Sequence, residues 1–336
     1  MSASWQRFRT ALTGARHPEI AAGPLVAADH AAFVSGLPLP QVIQSDELLC
    51  KSLIKTHQLY QGDFLILFAD VYVEAEAMGC RLAFPEDAPP HVIQTCPPEA
   101  LKAAAPQRDG RLPMMIKAAE RIAAELGSEI PVFASIKDPF SAAALACGAD
   151  DFLPLLISQP GRARLAIDRA LLNQQSYIEA LLKTGVHIII GAPMASGGIL
   201  GARHFHCFAL QPILELVNLI RSAGRLAGIH ICGDSDPILE QLAHIPAHFL
   251  SLESFSIARW KELASDGQPH PAVMGYFPTA LLLTGNKQTI EAEASKELRA
   301  LWGFPHILAT SCDVPQRCPA EKVQAFMRAA RKYHPA

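Results

Sequence analysis

The segment GIHICGD, residues 228–234, sets His230 and Cys232 two positions apart at the end of an apolar run. On an extended strand, residues i and i+2 share a face. The imidazole and the thiol therefore point together, while Ile229 and Ile231 point the other way, into whatever layer covers the sheet. A lone buried cysteine is ordinarily a small core hydrophobe and a lone histidine a hydrogen-bonded one. Together they make two-thirds of a soft-metal site and need a third ligand. Cys312 closes the run HILATSCD (306–313) and can supply it if the fold brings the two strand ends to a common mouth. A His-Cys-Cys set suits Zn²⁺, with the fourth position left to a carboxylate, water or substrate. Cys318, in CDVPQRCPAEKV, is the rival third ligand, but it adjoins Pro319 at an expected helix start and ranks below Cys312.

Carboxylates near other strand ends complete the candidate set. In DVYVEAEAMG, Glu74 and Glu76 could each be the exchangeable fourth ligand, with Glu74 preferred because it is nearer the strand end. The ordinary alternative is a pair of first-turn glutamates favoured by the helix dipole. Asp70 is the candidate catalytic carboxylate, orienting substrate or a ligating histidine. His204 and His206, in GARHFHCF, are either mouth residues or ordinary loop residues, and the glycines of ASGGILG (195–201) fit a hinge or a plain turn.

Positioning such residues needs a fold that gathers strand ends. Eight β-rich runs are found at 23–29, 63–70, 131–138, 186–193, 228–234, 248–253, 272–279 and 306–313. Helical periodicity fills 114–127, 162–185, 209–224, 235–245 and 286–303. Strands apolar on both faces and alternating with helices imply a parallel sheet. Eight such units suggest closure into a (β/α)8 TIM barrel, whose catalytic groups sit at the C-terminal strand ends. No G-x-G-x-x-G follows an early strand, so the usual cue for an open dinucleotide-binding sheet is missing. The reading is one domain over 1–336: a first strand near 23–29, a helical cap over 30–62 as an N-terminal extension, and the main barrel over 63–336. Asp29, Asp70, Asp138, Glu253 and Cys312 all fall at strand ends beside the His230–Cys232 pair. Asp138 and Asp234, each followed by helix-like sequence, are expected to be helix caps.

Composition bounds the function. Of 336 residues, 50% are hydrophobic and 18% charged, enough for a sizeable core, and the net charge of −3 gives no polyanion a reason to bind. Neither nucleic acid nor membrane is expected as a partner. The eight cysteines show no regular framework, arguing for reduced thiols or metal ligands. The N-terminal segment lacks the apolar core of a signal peptide, and no apolar stretch reaches ~18 residues. A cytoplasmic location is expected.

HICGDSDPILEQLA, DFLILFADVYVEAEAMGC and SCDVPQRCPAEKVQAFMRAAR resemble the uroporphyrinogen decarboxylase superfamily. The resemblance is closest to its zinc branch, the methylcobalamin:coenzyme M methyltransferases and related corrinoid-dependent enzymes, and runs from about residue 60 to the C-terminus. It implies an α/β barrel and places the family's H-x-C…C zinc motif on His230, Cys232 and Cys312. Decarboxylases of this superfamily carry arginines in an N-terminal segment that grips the substrate's carboxylates; residues 23–38, GPLVAADHAAFVSGLP, contain none. They also carry a Gly-His pair where this chain reads SCDVP, although Asp70 matches the aspartate they use at the tetrapyrrole. The implied activity is transfer of a methyl group from a methylated corrinoid, methylcobalamin or a corrinoid protein, to a thiol or related acceptor such as coenzyme M, homocysteine or tetrahydrofolate. The alternatives are a tetrapyrrole decarboxylase and a binding protein with a structural zinc.

The chemistry is consistent with that implication. A free thiol, with a pKa near ~8.5, is mostly protonated at neutral pH, and a metal-bound one is deprotonated outright. Two cysteinates and a neutral histidine cancel the charge of Zn²⁺, so a substrate thiolate added there keeps its electron density for attack on a methyl group. Carriers of corrinoids hold cobalt with the histidine of a D-x-H-x-x-G motif, which this chain lacks. A separate corrinoid carrier protein, docking transiently over the mouth, is therefore expected.

Overall fold

The runs too apolar to leave a face in water become the parallel strands of the computed structural model, which describes residues 2–15, 19–86 and 88–333. The expected domain bounds, 1–336, thus extend slightly beyond the described residues. The strands are β1 (Ala22–Gly23), β2 (Leu65–Leu67), β3 (Arg81–Ala83), β4 (His91–Gln94), β5 (Val132–Lys137), β6 (His187–Gly191), β7 (Ala227–Asp234), β8 (Phe249–Ser254), β9 (Ala272–Met274) and β10 (His306–Ala309). Eight of them form one parallel sheet in the order β1-β10-β9-β8-β7-β6-β5-β2, while β3 and β4 pair separately as an antiparallel hairpin. Each of the eight expected runs overlaps one sheet strand, and the (β/α)8 barrel expected from them is the fold found.

The seam between β1 and β2 is closed by other means than a regular ladder. The backbone N–H of Asp63 donates to Ala22 O at 2.7 Å, and that of Ala28 to Phe68 O at 3.1 Å. The Asp63 carboxylate, fully buried, accepts from Ala22 N and pairs with both Arg7 and Arg331. Gly23 is required here: a Cβ on it would lie 2.7 Å from the Phe64 ring.

Alternation along the strands sorts the barrel into an apolar floor and a polar rim. Phe64, Phe133 and Phe249 share the interior with Met274 and Ile307. Helix Ala3–Thr13, absent from the sequence reading, plugs this end: Phe8 is fully buried with its ring 5.7–6.1 Å from those of Phe64, Phe133 and Phe249. Two and four residues past Phe64 come Ile66 and Phe68, past Phe133 come Ser135 and Lys137, and past Gly228, which lies under the Phe249 ring, come His230 and Cys232, all lining one cavity.

The outer ring follows from helical periodicity and caps. Helix Leu112–Leu126 buries Met115, Ala118, Ala119, Ile122 and Leu126, one face at 3.6-residue spacing. Pro160–Leu182, Gln211–Ser222 and Lys287–Ala300 fall close to their expected ranges, and Asn286 caps the last by accepting from Thr289 N at 2.9 Å. Asp138 is the expected cap, its carboxylate accepting from Phe140 N and Ser141 N. Asp234, also expected as a cap, instead ends β7; its carboxylate accepts from Asp236 N across a local turn, and Ser235 holds the N-cap position of the next short helix.

The expected cap over 30–62 requires correction. Its main helix, Asp46–Tyr60, buries Leu49, Leu53, Thr56 and Tyr60 and packs against Leu112–Leu126 and Ala320–Lys332. It is the crossover helix between β1 and β2, part of the outer ring. Only the shorter helices Ala28–Ser35 and Leu39–Val42 are left beside the C-terminal mouth, where Ala28 follows the seam and His30 Nδ1 lies 3.1 Å from Gln316 O. Among the described residues no single helix is long and apolar enough to cross a membrane.

Candidate metal centre

The parallel register places Lys137 beside Gly191, Gly191 beside His230, and His230 beside Ser251, so these four residues lie at one level of the barrel. Within β7, Ile229 and Ile231 are fully buried against the helix layer, and His230 and Cys232 face the cavity. This is the division that strand alternation predicts. Cys312, just past β10, reaches the same point from three strands away.

The three ligand atoms converge. His230 Nε2 lies 3.1 Å from Cys232 Sγ and 3.8 Å from Cys312 Sγ, and the two sulfurs are 3.9 Å apart. Tetrahedral zinc, with bonds of about 2.3 Å to sulfur and 2.0–2.1 Å to nitrogen, sets edges of about 3.8 Å (S–S) and 3.5 Å (N–S). The donors therefore fit such an ion with shifts of a few tenths of an ångström. Among the described residues, no fourth His, Cys, Asp or Glu joins them within the 4.8 Å compass of the cluster.

Surrounding contacts hold the ligands in place. His230 Nδ1 lies 3.0 Å from the Oγ of fully buried Ser251. With the Nδ1 proton donated there, Nε2 keeps its lone pair for a metal. Gly233, at φ +74°, turns the chain after Cys232, and its N–H donates to Glu253 Oε2 at 2.6 Å. The hydrogen bond with Cys232, and then burial, push the Cys312 thiol far above its ordinary range. For His230, burial opposes protonation, but the hydrogen bond and charge of Cys312 outweigh it and raise the pKa. A divalent cation held here would need both thiols deprotonated, so its binding would release protons.

The cavity beside the cluster has a volume of about 200 Å³. Leu25, Ile66, Phe68 and Ile189 supply its apolar wall, and Ser135, Lys137 and Asp313 are polar groups facing it. Burial pushes Asp313 up to about 6. The size is below the ~300–1,000 Å³ of drug-sized sites.

The remaining sequence candidates are placed elsewhere. Glu74, expected as the fourth ligand, is buried with its Oε1 accepting the backbone N–H of Lys137 at 2.7 Å, and it is not part of the cluster. The reason is local: the short helix Val73–Ala77 turns Glu74 toward the end of β5, where an unpaired strand N–H needs an acceptor. Burial raises its pKa. Asp70, expected to be catalytic, does not line the cavity. Both its oxygens are engaged by Arg111, Nη2 to Oδ1 at 3.1 Å, and Oδ1 also accepts from Tyr72 N. Arg111 binds Glu76 as well, so the second candidate glutamate is likewise committed to an ion pair. Cys318 is fully buried with its Sγ directed at Leu282 O, in a separate core cluster. His204 stacks on Phe208, His206 is exposed, and neither lines the cavity. ASGGILG runs from the N-cap Ser196 through the first turn of Gly197–His204 to a break at Gly201, whose backbone is non-helical (φ 61°, ψ 167°).

Sequence reasoning missed Lys137, Ser251 and Asp313. Ser135 and Lys137 alternate on β5 as His230 and Cys232 do on β7, so a charged residue on a strand otherwise apolar on both faces was the available signal. Asp313 adjoins a candidate ligand. Nothing local marks Ser251.

Comparisons with known proteins bear on this arrangement. A family model described as uroporphyrinogen decarboxylase (URO-D) matches residues 6–333. A methylated-thiol–coenzyme M methyltransferase from Methanosarcina mazei is 23% identical over 267 residues, covering 78% of this chain and 71% of the relative. A uroporphyrinogen decarboxylase from Mannheimia succiniciproducens is 23% identical over 308 residues, 85% of this chain and 83% of the relative. Among solved structures, a methyltransferase from Methanosarcina mazei shares the fold with a TM-score of 0.86 at 23% identity, over 98% of each chain. With a barrel of this form and a family match spanning nearly its whole length, the chain belongs to the uroporphyrinogen decarboxylase family.

Proposed function

We propose that the protein is a zinc-dependent methyltransferase that moves a methyl group from a methylated corrinoid to a thiol. The observation that carries this reading is the convergence of His230, Cys232 and Cys312 at the rim of a small cavity with, among the described residues, no fourth His, Cys, Asp or Glu beside them. Bound there, Zn²⁺ supplies Lewis acidity that turns an incoming thiol into a thiolate at neutral pH. The chain's own residues do the rest. Ser251 fixes the His230 tautomer, and the apolar wall of Leu25, Ile66, Phe68 and Ile189 excludes water from the space beside the metal ligands.

The relative named as a methylated-thiol–coenzyme M methyltransferase supports a thiol acceptor of the coenzyme M type. Homocysteine and tetrahydrofolate belong in the test panel. The corrinoid arrives on a carrier protein that docks at the mouth, a reading supported by the absence of a D-x-H-x-x-G cobalt-binding motif from the sequence. Eight free cysteines suit a cytoplasmic, reducing setting.

Relatives named as uroporphyrinogen decarboxylases favour a second reading, a tetrapyrrole decarboxylase. Against it stand the small cavity and the position of Asp70, which is paired with Arg111 and does not line that cavity. The test is incubation of zinc-loaded protein with methylcobalamin and 2-mercaptoethanesulfonate, homocysteine or tetrahydrofolate, following corrinoid absorbance. Demethylation that Cys312→Ala abolishes is expected. Full activity in metal-free Cys312→Ala, or zinc-independent decarboxylation of uroporphyrinogen, would overturn the reading.

A further inference from the structure

Cys312 is the least constrained of the three ligands. His230 and Cys232 are held by the β7 ladder, whereas Cys312 lies past the end of β10, in the irregular segment 310–319 that leads to helix Ala320–Lys332. Whatever fixes that segment fixes the sulfur. Residues 25–30 run beside it, and three contacts join the two. Leu25 N donates to Thr310 Oγ1 at 2.9 Å, Val314 N donates to Leu25 O at 2.8 Å, and His30 Nδ1 lies 3.1 Å from Gln316 O. Cys318 N donates to Pro315 O, so Gln316 sits in the turn that ends this run. With β1 only two residues long, these contacts continue its attachment to β10 where the ladder stops.

His30 is the last of the three contacts. Its ring is fully buried and stacked on that of Tyr60 at 5.8 Å, with Nε2 2.7 Å from the Tyr60 hydroxyl. The tautomer follows from the partners. A carbonyl oxygen only accepts, so Nδ1 carries the proton; Nε2 is then the acceptor, and Tyr60 donates to it. Burial keeps the imidazole neutral by lowering its pKa, and keeps the phenol protonated by raising its own. Tyr60 closes helix Asp46–Tyr60 of the outer ring, so hydrogen bonds run from that helix through His30 to the ligand segment. They end four residues from Cys312.

We propose that His30, oriented by Tyr60, is a positioning residue for the third metal ligand: by holding Gln316 O it keeps the segment docked and the Cys312 sulfur within reach of His230 and Cys232. This rests on the metal centre of the reading above, and not on the reaction performed there. Without the His30 donor the segment frays back to Val314, two residues from the ligand. Metal-free protein can then release Gln316 O to water, while zinc-bound protein must keep that oxygen docked and unpaired. Zinc binding therefore bears the cost of an orphaned buried carbonyl, which corresponds to about 5–100-fold in affinity.

The test is competition for Zn²⁺ against a chromophoric chelator in wild type, His30→Phe and His30→Asn, with amide hydrogen exchange on the same proteins. His30→Phe keeps a ring against Tyr60 and removes both ring nitrogens; His30→Asn returns an N–H to the place of Nδ1. Zinc affinity should fall by about 5–100-fold in His30→Phe and be largely recovered in His30→Asn. Without metal, exchange at Val314 and Cys318 should quicken in His30→Phe and slow again on adding zinc, with the β7 amides as in wild type. A general loosening would quicken β7 as well, and zinc would not reverse it. Tyr60→Phe, which removes a single hydroxyl, should weaken zinc binding in the same direction and stands in if His30→Phe does not fold. Affinity within twofold of wild type in whichever of these variants folds would overturn this inference alone. Wild type that takes up no zinc would overturn the metal centre with it.

Discussion

Ser251→Ala separates the orientation of His230 from its presence. Ser251 is fully buried, pairs in register with His230 and places its Oγ 3.0 Å from Nδ1. Ligation through Nε2 requires the ring proton on Nδ1, and the serine oxygen is the acceptor that holds it there. In the alanine variant that N–H is buried without a partner, a cost of about 1–3 kcal/mol. The ring is also free to rotate away from Cys232 and Cys312. Removing such an outer partner typically costs 10–100-fold in metal affinity, which is about 1.4–2.7 kcal/mol; the two routes to the magnitude agree. Competition for Zn²⁺ against a chromophoric chelator, with wild type and variant at the same pH, measures it directly. Circular dichroism of the metal-free variant should match wild type, because a single hydroxyl is lost from a barrel whose apolar floor is untouched. An affinity within twofold of wild type would refute the assignment of Nε2 as ligand and Ser251 as its support.

Other perturbations address other levels of the structure. Cys232→Ala should release zinc and leave the barrel folded, whereas Cys318→Ala should keep it, since that sulfur lies in a separate core; metal analysis after gel filtration reads both. Phe8→Ala should cost about 3–5 kcal/mol in urea unfolding, because the ring is fully buried among Phe64, Phe133 and Phe249. Acid stability should depend on His187, whose pKa burial, aided by Arg225 and His248, lowers to about 4, and whose Nδ1 accepts from Leu226 N. A depressed histidine contributes stability above its unfolded pKa of ~6.5 that is lost as pH falls toward 4, up to about 3 kcal/mol. Denaturant titrations from pH 7 to 4.5 should show a shallower loss in His187→Gln.

The sequence made most of the barrel legible because its strands are buried on both faces and its helices keep a regular apolar stripe. His230, Cys232 and Cys312 were legible for a related reason: alternation on β7 fixes a shared face, and closure carries strand ends to one mouth. What failed depended on contacts between distant segments. Glu74 looks the same in sequence whether it reaches a metal or a strand N–H, and only the position of β5 decides. Asp70 was read without Arg111, which is 41 residues away and engages it through a turn with no strong pattern. Helix Asp46–Tyr60 looks like a cap in sequence because a two-residue β1 gives little sign of a crossover unit. Helix Ala3–Thr13 was overlooked since its role rests on one residue, Phe8, meeting three rings from three strands.

The central claim is that His230, Cys232 and Cys312 hold a zinc ion with a position open to the acceptor's sulfur. X-ray absorption at the zinc edge tests it most directly, on zinc-loaded protein with and without 2-mercaptoethanesulfonate and 3-mercaptopropionate. The account predicts two sulfurs and one imidazole nitrogen at rest, with a light-atom ligand completing the shell. On adding the accepted thiol it predicts three sulfurs, accompanied by proton release. A sulfur count that stays the same with every thiol, in a protein shown to bind zinc, would contradict it.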